Sequence, residues 1–258
     1  MTYCVGILVQ DGLVMIADTR TNAGVDNVSV YRKLHCLCDE PERQIYIATS
    51  GNLSVAQTVI SLIQEGLPAG DEPGLMTRSL TQATSMFRAA QLVGEALQMA
   101  NKTVGEALET LNIPAGACLL LGGRIGSGPP SLFLIYEAGN FIECHREVPF
   151  LQIGETKYGR PLLDRALKRL TPLPQAMKLA LLSFDSTMRS NIAVARPLDL
   201  MVMRPDPGAP TLTRRIDADD PYFNEMSKRW SELLREATCA IADPDFLAQP
   251  RPDIRSVS

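Results

Sequence analysis

The sequence has few aromatic residues, few histidines and no long apolar run. Aromatic residues make up 5% of the 258 residues, with a single tryptophan, and the two histidines are His35 and His145. No stretch reaches the roughly 18 apolar residues of a membrane-spanning helix, so we expect no transmembrane segment. Neither histidine stands at a recognised ligand spacing, which argues against a zinc site. The start of the chain lacks the pattern of a secretory signal, and we expect a cytoplasmic protein.

An excess of charge of one sign is also missing. The formal net charge is −4, with 45% hydrophobic and 21% charged residues, which is ordinary for a globular protein. A chain without a basic surplus gives no indication of nucleic acid or an anionic membrane as partner. In a cytoplasmic chain, cysteines are expected to be small buried hydrophobes rather than disulfides. The six are Cys4, Cys36, Cys38, Cys118, Cys144 and Cys239.

Apolar periodicity divides the chain into alternating blocks of strands and helices. The predicted strands are 3–9, 13–17, 28–38, 44–49, 117–122, 132–136, 141–144, 150–153, 194–203 and 211–216. The predicted helices are 52–66, 77–101, 104–111, 158–170, 173–189 and 220–242. Asp11-Gly12 predicts a hairpin turn, and Pro197 indicates that the strand around it starts late.

This order indicates an α+β protein rather than a strictly alternating β-α-β fold. Helix pairs that follow blocks of strands can cover the outer faces of two stacked antiparallel sheets. We therefore predict a four-layer αββα sandwich with an extra C-terminal helix. Residues 1–216 are expected to form the main domain, and residues 217–258 a helix and tail packed on it.

Thr2 is the first candidate for chemistry. A methionine aminopeptidase removes Met1 readily when the next side chain is as small as threonine. The mature chain would then begin with an α-amine beside a hydroxyl, and that amine has a reference pKa of about 7.7–8.0. Such an amine can act as the base that a weakly nucleophilic hydroxyl needs.

Three further residues among the first fifty-one could assist a nucleophilic Thr2: Asp18, Lys33 and Gly51. Hairpin geometry can return Asp18 to the start of the chain, and Lys33 is expected in the next strand. A lysine beside the hydroxyl favours proton loss, and a buried lysine needs a counter-charge such as Asp18. Gly51 stands where a strand meets a helix, so its N–H can stabilise a tetrahedral oxyanion.

With these residues in this order, the sequence resembles a proteasome-type β subunit, an N-terminal-nucleophile hydrolase. The resemblance rests on Thr2, on Asp18-Thr19-Arg20-Thr21-Asn22-Ala23-Gly24, on Lys33 and on Thr49-Ser50-Gly51. The opening six residues and the run from Ile153 to Pro161 are closer to the bacterial ancestral beta subunit branch, Anbu. The similarity extends over about residues 2–216.

The resemblance implies a role for each matching residue. Thr2 is implied as nucleophile and base, Asp18 and Lys33 as the rest of a triad, and Gly51 as the oxyanion donor. Ser190 is implied as a supporting residue. The implied substrate-binding residues are Arg20, Thr21, Asn22, Tyr31, Thr49 and Leu53. No cofactor or metal is implied. The implied partners are a peptide substrate and further copies of the chain, which assemble into a ring or an open helical stack. The sequence identifies no ATPase partner.

Two positions depart from the family pattern. Glu155 stands where a serine usually follows the glycine of the strand-to-helix turn. Aligning on Ser190 places Thr187 where an aspartate is usual, with Asp185 two residues away. Two alternatives therefore stand beside a peptidase: a structural or peptide-binding assembly with vestigial proteolysis, and an amidase for small substrates.

Overall fold

The computed structural model describes residues 1–22, 28–69, 77–110 and 113–247. The chain divides into two compact units, Met1–Asp220 and Pro221–Ser258. The predicted domain arrangement, with a boundary after residue 216 and the C-terminal segment packed on the main domain, stays a prediction. Residues 248–258 of that segment lie outside the described residues. None of the described helices combines the length and apolarity needed to cross a membrane.

The described strands, in chain order, are β1 (Tyr3–Val9), β2 (Gly12–Asp18), β3 (Arg20–Asn22), β4 (Val28–Val30), β5 (Leu34–Glu40), β6 (Arg43–Gly51), β7 (Leu67–Pro68), β8 (Thr77–Arg78), β9 (Ala117–Ile125), β10 (Ser131–Ile135), β11 (Phe141–Glu143), β12 (Phe150–Gly154), β13 (Leu198–Met203) and β14 (Leu212–Ile216). The described α-helices are α1 (Leu53–Glu65), α2 (Met86–Thr110), α3 (Arg160–Ala166), α4 (Leu173–Ser190) and α5 (Pro221–Ala240).

The larger unit contains two five-stranded antiparallel sheets. Their strand orders are β12-β1-β2-β13-β14 and β11-β10-β9-β6-β5. All seven residues of β1 are buried, as expected for a strand covered on both faces. On one face, Met15 and Ala17 of the first sheet share an apolar cluster with Tyr46 and Leu120 of the second. On the other face, α4 packs against β1 and β2.

The helices α1 and α2 cover the second sheet through a separate apolar cluster. Val55 and Val59 of α1 meet Val93 and Leu97 of α2 over the strands β6, β9 and β10. The start of α1 agrees with the prediction, because the Asn52 side chain accepts the N–H groups of Ser54 and Val55 as an N-cap.

The predicted helix boundaries around α2 are wrong. Residues 77–85 do not begin a helix: they contain β8 and a 3₁₀ turn at Leu80–Gln82. There the Gln82 side chain accepts the N–H of Ser79, at 3.0 Å, and caps the start of this short turn. The helices predicted over 77–101 and 104–111 form one helix, in which Thr103 donates its hydroxyl to the carbonyl of Met99.

The strand predicted over 28–38 is also wrong as a single element. β4 pairs with β3, while β5 begins at Leu34 and pairs with β6. Lys33 therefore lies just before a strand, not inside one. The β1–β2 turn is at Gln10-Asp11, one residue earlier than predicted, and Gly12 already belongs to β2.

The cysteines are less uniform than predicted. All six are free thiols, and Cys4 is buried as expected, but Cys36 and Cys239 are exposed. A register shift between Cys36 and Cys38 interrupts the alternation that would place both on one side of β5.

Up to residue 247, where the described part of the smaller unit ends, this unit contains α5 and a 3₁₀ turn at Asp245–Leu247. Along the exposed side of α5, Arg229 pairs with Glu232 and Glu236, each at 3.2 Å. Such exposed pairs contribute little to stability, typically below about 1 kcal/mol.

Candidate active site

Thr2 is held by its backbone at the point where β1 meets β12. The residue is only 9% exposed, and its carbonyl accepts the N–H of Glu155 at 2.6 Å. Gly154 makes this approach possible: its φ is +82°, and a Cβ there would lie 2.0 Å from the Thr2 carbonyl oxygen. Only glycine fits so close a backbone contact without displacement.

The β1–β2 hairpin places Asp18 next to the start of β1. Asp18 is fully buried, and its Oδ1 accepts the backbone N–H of Tyr3 at 3.0 Å. The same oxygen lies 2.9 Å from Nζ of Lys33, which is also buried. Lys33 donates a second hydrogen bond, 2.5 Å long, to the carbonyl of Arg20. The Lys33–Asp18 pair is thus a buried ionic contact beside Thr2, while Oδ2 of Asp18 is buried without a hydrogen-bond partner among the described residues.

Burial and the neighbouring ammonium have opposite effects on Asp18. Removal from water raises the pKa of the Asp18 carboxyl above its ordinary value, since a low-dielectric surrounding disfavours the charged form. The Lys33 ammonium and the Tyr3 N–H lower it again. The contact with Lys33 thus opposes the effect of burial, although burial is the larger of the two and the pKa stays above its ordinary value.

A cavity of about 80 Å³ joins these groups to the surface. Its lining residues are Met1, Thr2, Thr21, Lys33, Thr49, Ser50, Gly51, Leu53 and Ala56. The fold therefore gathers Thr2, Lys33 and Gly51 around one space, together with three of the six predicted substrate-binding residues. Asp18 contacts Lys33 but is not one of the lining residues.

Gly51 connects the cavity to the first turn of α1. It is the last residue of β6, is exposed, and has a φ of +97°. A Cβ at this position would lie 2.2 Å from the carbonyl oxygen of Gly116. Asn52 caps the first N–H groups of α1, and Gly51 lines the cavity together with Ser50, Leu53 and Ala56.

The remaining predicted site residues lie outside the cavity lining. Arg20 donates from Nη1 to the carbonyl of Ile192 at 2.7 Å, and the Tyr31 side chain is exposed. Asn22 pairs with Val28 in the small β3–β4 ribbon. Ser190, the last residue of α4, is exposed. Ala23 and Gly24 of the motif lie outside the described residues.

The structure brings together a pair of residues that the sequence analysis did not connect, Glu155 and Asn191. Glu155 is 6% exposed; its Oε2 accepts from Nδ2 of Asn191 at 3.1 Å, and its Oε1 from the Lys157 N–H at 3.3 Å. The acidic residue directly after the glycine of β12 was visible in the sequence as a departure. Its partner was not, because no local pattern links positions 155 and 191.

Thr187, which stands where the family usually has an aspartate, uses its hydroxyl within α4. Thr187 is fully buried, yet it donates within its own helix to the carbonyl of Ser183, at 2.8 Å. Asp185 pairs with Arg189 one turn further on, at 3.1 Å. The end of α4 therefore reaches the surroundings of Thr2 through Asn191 instead.

Larger clefts lie elsewhere in the main unit. One of about 530 Å³ is lined by polar residues around Arg78 and Arg88, and one of about 540 Å³ by apolar residues around Leu173 and Met177. Neither lining includes a buried ion pair or a candidate nucleophile with a base. No group of three or more potential metal ligands gathers anywhere in the described ranges. We therefore identify the cavity at Thr2 as the candidate active site because of its lining residues, although it is smaller than the other two clefts.

Solved structures resemble this chain over nearly its whole length. A Gly-1 mutant of Anbu from Hyphomicrobium sp. strain MC1 is 43% identical, with a TM-score of 0.86, covering 95% of this chain and all of that one. Anbu from Yersinia bercovieri is 38% identical, with a TM-score of 0.81, covering 94% and 98%. The helical assembly of the Anbu complex from Pseudomonas aeruginosa is 39% identical, with a TM-score of 0.83 and the same coverage. No protein-family model and no curated protein matches the chain.

Proposed function

The chain belongs to the Anbu family of ancestral proteasome-type β subunits, and on this basis we propose that it is a threonine-type N-terminal-nucleophile hydrolase. The bonds that it cleaves in this proposal are peptide amide bonds. The observation that carries the proposal is the buried Lys33–Asp18 pair beside the cavity that Thr2 lines. A buried ion pair is often no more stabilising than apolar residues of similar volume, so its presence favours a chemical role.

The proposed reaction begins once Met1 has been removed. The Thr2 hydroxyl attacks the substrate carbonyl while the freed α-amine accepts its proton, and the charge of Lys33 favours that proton loss. The oxyanion of the tetrahedral intermediate is stabilised by the Gly51 N–H. The protonated α-amine of Thr2 then donates this proton to the leaving amine. As the leaving amine departs, an acyl ester forms on Thr2. Water, deprotonated by the same amine, attacks that ester and releases the carboxylic acid.

The substrate is proposed to bind as an extended strand. The backbone of Thr21 and Asn22 in β3 would pair with it, as in other cases of β-strand addition. Thr49 and Leu53 line the cavity and are proposed to contact the side chain next to the cleaved bond. Arg20 and Tyr31 lie outside this lining, so their proposed roles are at its margin.

We further propose that the chain self-associates and that its sheets and helices form four layers. A relative forms a helical assembly, which supports self-association of this chain into a ring or open helical stack. The contact of the two sheets, with α1 and α2 outside one and α4 outside the other, supports a four-layer αββα sandwich. We place the protein in the cytoplasm.

The test combines intact mass with covalent labelling. Mass spectrometry of the purified protein should show loss of Met1, and a peptide epoxyketone, which needs both an N-terminal amine and a hydroxyl, should then label Thr2. Thr2→Ala should assemble normally and show no adduct, while Thr2→Ser keeps the hydroxyl and should still be labelled. Retained Met1 in the wild type, or an adduct on Thr2→Ala, would overturn the mechanism.

A peptide-binding assembly with vestigial proteolysis is the second candidate. The observation that favours it is the α4 side of the site, where Ser190 is exposed and Thr187 is used within its helix. This candidate predicts an unlabelled wild type that still assembles and still binds fluorescent peptides. Turnover of peptides compared with small amides distinguishes the peptidase from an amidase for small substrates.

A further inference from the structure

We propose that the short segment after α4, residues 191–194, is a brace that positions Thr2 on one side of the active site and Lys33 on the other. In this proposal Asn191 is the positioning residue for Thr2. We call this segment the α4 exit loop. The inference rests on the proposed function, because the geometry that the brace maintains is that of the nucleophile and of Lys33. It is carried by two chains of hydrogen bonds that start in the same loop.

The first chain runs from the α4 exit loop to Thr2. Nδ2 of Asn191 donates to Oε2 of Glu155 at 3.1 Å. The N–H of Glu155 in turn donates to the carbonyl oxygen of Thr2 at 2.6 Å. Since Gly154 allows this close backbone approach, a shift of Glu155 would be transmitted directly to the backbone of the nucleophile.

The second chain runs from the same loop to Lys33. The carbonyl of Ile192 accepts Nη1 of Arg20 at 2.7 Å. The carbonyl of Arg20 accepts Nζ of Lys33 at 2.5 Å. The Ile192 side chain is 86% exposed, so its backbone carbonyl, which accepts the solvent-exposed contact from Arg20, is the part of this residue that connects the loop to Lys33.

The α4 exit loop is itself held in one conformation. The Asn191 N–H donates to the Thr187 carbonyl at 2.8 Å, and Oδ1 of Asn191 accepts the Ala193 N–H at 3.0 Å. Val194 is buried and closes the turn by donating its N–H to the Asn191 carbonyl at 3.1 Å. Asn191 therefore uses its amide oxygen inside the loop and its amide nitrogen outside it. Aspartate has the oxygen but no donor, so it could form only the first contact.

A swap of the two side chains tests the contact directly. Asn191→Asp opposes two carboxylates at positions 155 and 191, while Glu155→Gln combined with Asn191→Asp restores one donor and one acceptor. Asn140→Asp makes the same chemical change in an exposed turn and serves as the matched control. The readouts are the maximal epoxyketone labelling rate, the inhibitor concentration at half that rate, and hydrogen exchange of the Glu155 amide.

We expect Asn191→Asp to lower the maximal labelling rate about tenfold or more, because small misplacements of a reacting group have effects of that size. The half-saturating concentration should stay within about threefold, since the cavity lining is unchanged, and exchange of the Glu155 amide should become faster. The double variant should recover both the rate and the exchange protection. The Asn140→Asp control should match the wild type.

Two outcomes overturn the brace: wild-type exchange and labelling in Asn191→Asp, or no recovery in the double variant. If Asn191→Asp fails to fold, Asn191→Ala removes the donor without adding a charge and must still show faster exchange of the Glu155 amide. Wild-type exchange in that variant also overturns the proposal. The wild type could also remain unlabelled while hydrogen exchange of the Glu155 amide becomes faster in Asn191→Asp and recovers in the double variant. That result would refute the hydrolase and support the brace.

Discussion

The two sides of the candidate active site are built in different ways. On the strand side, the ammonium of Lys33 and the carboxylate of Asp18 meet at 2.9 Å with almost no exposure to solvent. On the helix side, a neutral amide, Asn191, meets the carboxylate of Glu155 at 3.1 Å in a partly buried position. The strand side depends on charge compensation, whereas the helix side depends on hydrogen-bond direction.

This difference leads to different sensitivities. Removing one partner of a buried ion pair leaves an uncompensated charge and costs about 3–5 kcal/mol. Removing one partner of a hydrogen bond costs about 1–3 kcal/mol for the group left unsatisfied. Changes on the strand side should therefore affect both stability and chemistry, and changes on the helix side mainly geometry.

The largest effect is expected from Lys33→Met. The Asp18 carboxylate would lose its counter-charge, so the free energy of unfolding should fall by about 3 kcal/mol, as measured by urea denaturation. The proposed role of Lys33 in activating Thr2 predicts that epoxyketone labelling falls by about 100-fold or more.

The double variant Lys33→Met with Asp18→Asn separates the two roles of the pair. The Asp18→Asn change leaves an amide oxygen that can still accept the Tyr3 N–H, and it removes the charge that needs compensation. We expect stability to recover while labelling stays low. Labelling by Lys33→Met within about threefold of wild type would contradict the comparison.

The next effect is expected from Gly154→Ala, at the backbone contact between the two sides. A left-handed backbone costs a non-glycine residue roughly 1–2 kcal/mol, and overpacking costs a further 1–3 kcal/mol. Since the new Cβ would lie 2.0 Å from the Thr2 carbonyl oxygen, both contributions apply. The unfolding free energy should fall by about 2–5 kcal/mol.

Gly126→Ala is the matched control for this change. Gly126 has a φ of +69°, but a Cβ added there would meet nothing within 4 Å, so only the conformational contribution of roughly 1–2 kcal/mol applies. Equal losses for the two variants would show that the contact with Thr2 adds no constraint.

The smallest effect is expected from Ser190→Ala. The side chain is exposed at the end of α4, and substitutions at such sites usually change stability by less than about 0.5 kcal/mol. Labelling should stay within about twofold of wild type. A tenfold loss would show that Ser190 supports Thr2 after all, as the family resemblance implies.

Ser183→Ala on the same helix provides the contrast. Ser183 is buried, contacts the hydroxyl of Tyr3 at 3.0 Å and donates to the carbonyl of Ala180. Its loss should reduce the unfolding free energy by about 1 kcal/mol, measured by the same denaturation.

Features that depend on neighbouring residues could be predicted from the sequence. The return of Asp18 to the start of the chain follows from one tight hairpin, and the N-cap at Asn52 follows from a polar residue before an apolar helical pattern. The beginning of α2 could not be predicted in the same way, because residues 77–85 have only two apolar side chains, Leu80 and Ala83, which are too few to distinguish a helix from the strand and 3₁₀ turn that occur there.

By itself, the sequence determined the family, the alternation of strand blocks with helix blocks, and the nucleophile candidate with Asp18, Lys33 and Gly51, because these depend on residue identity and local periodicity. The tertiary structure alone decided how the site is braced. Glu155 and Asn191 are 36 residues apart, and Arg20 and Ile192 are 172 residues apart, so no local pattern couples them. Such contacts form only when the packing of α4 on the first sheet brings distant backbone and side-chain groups within hydrogen-bonding distance.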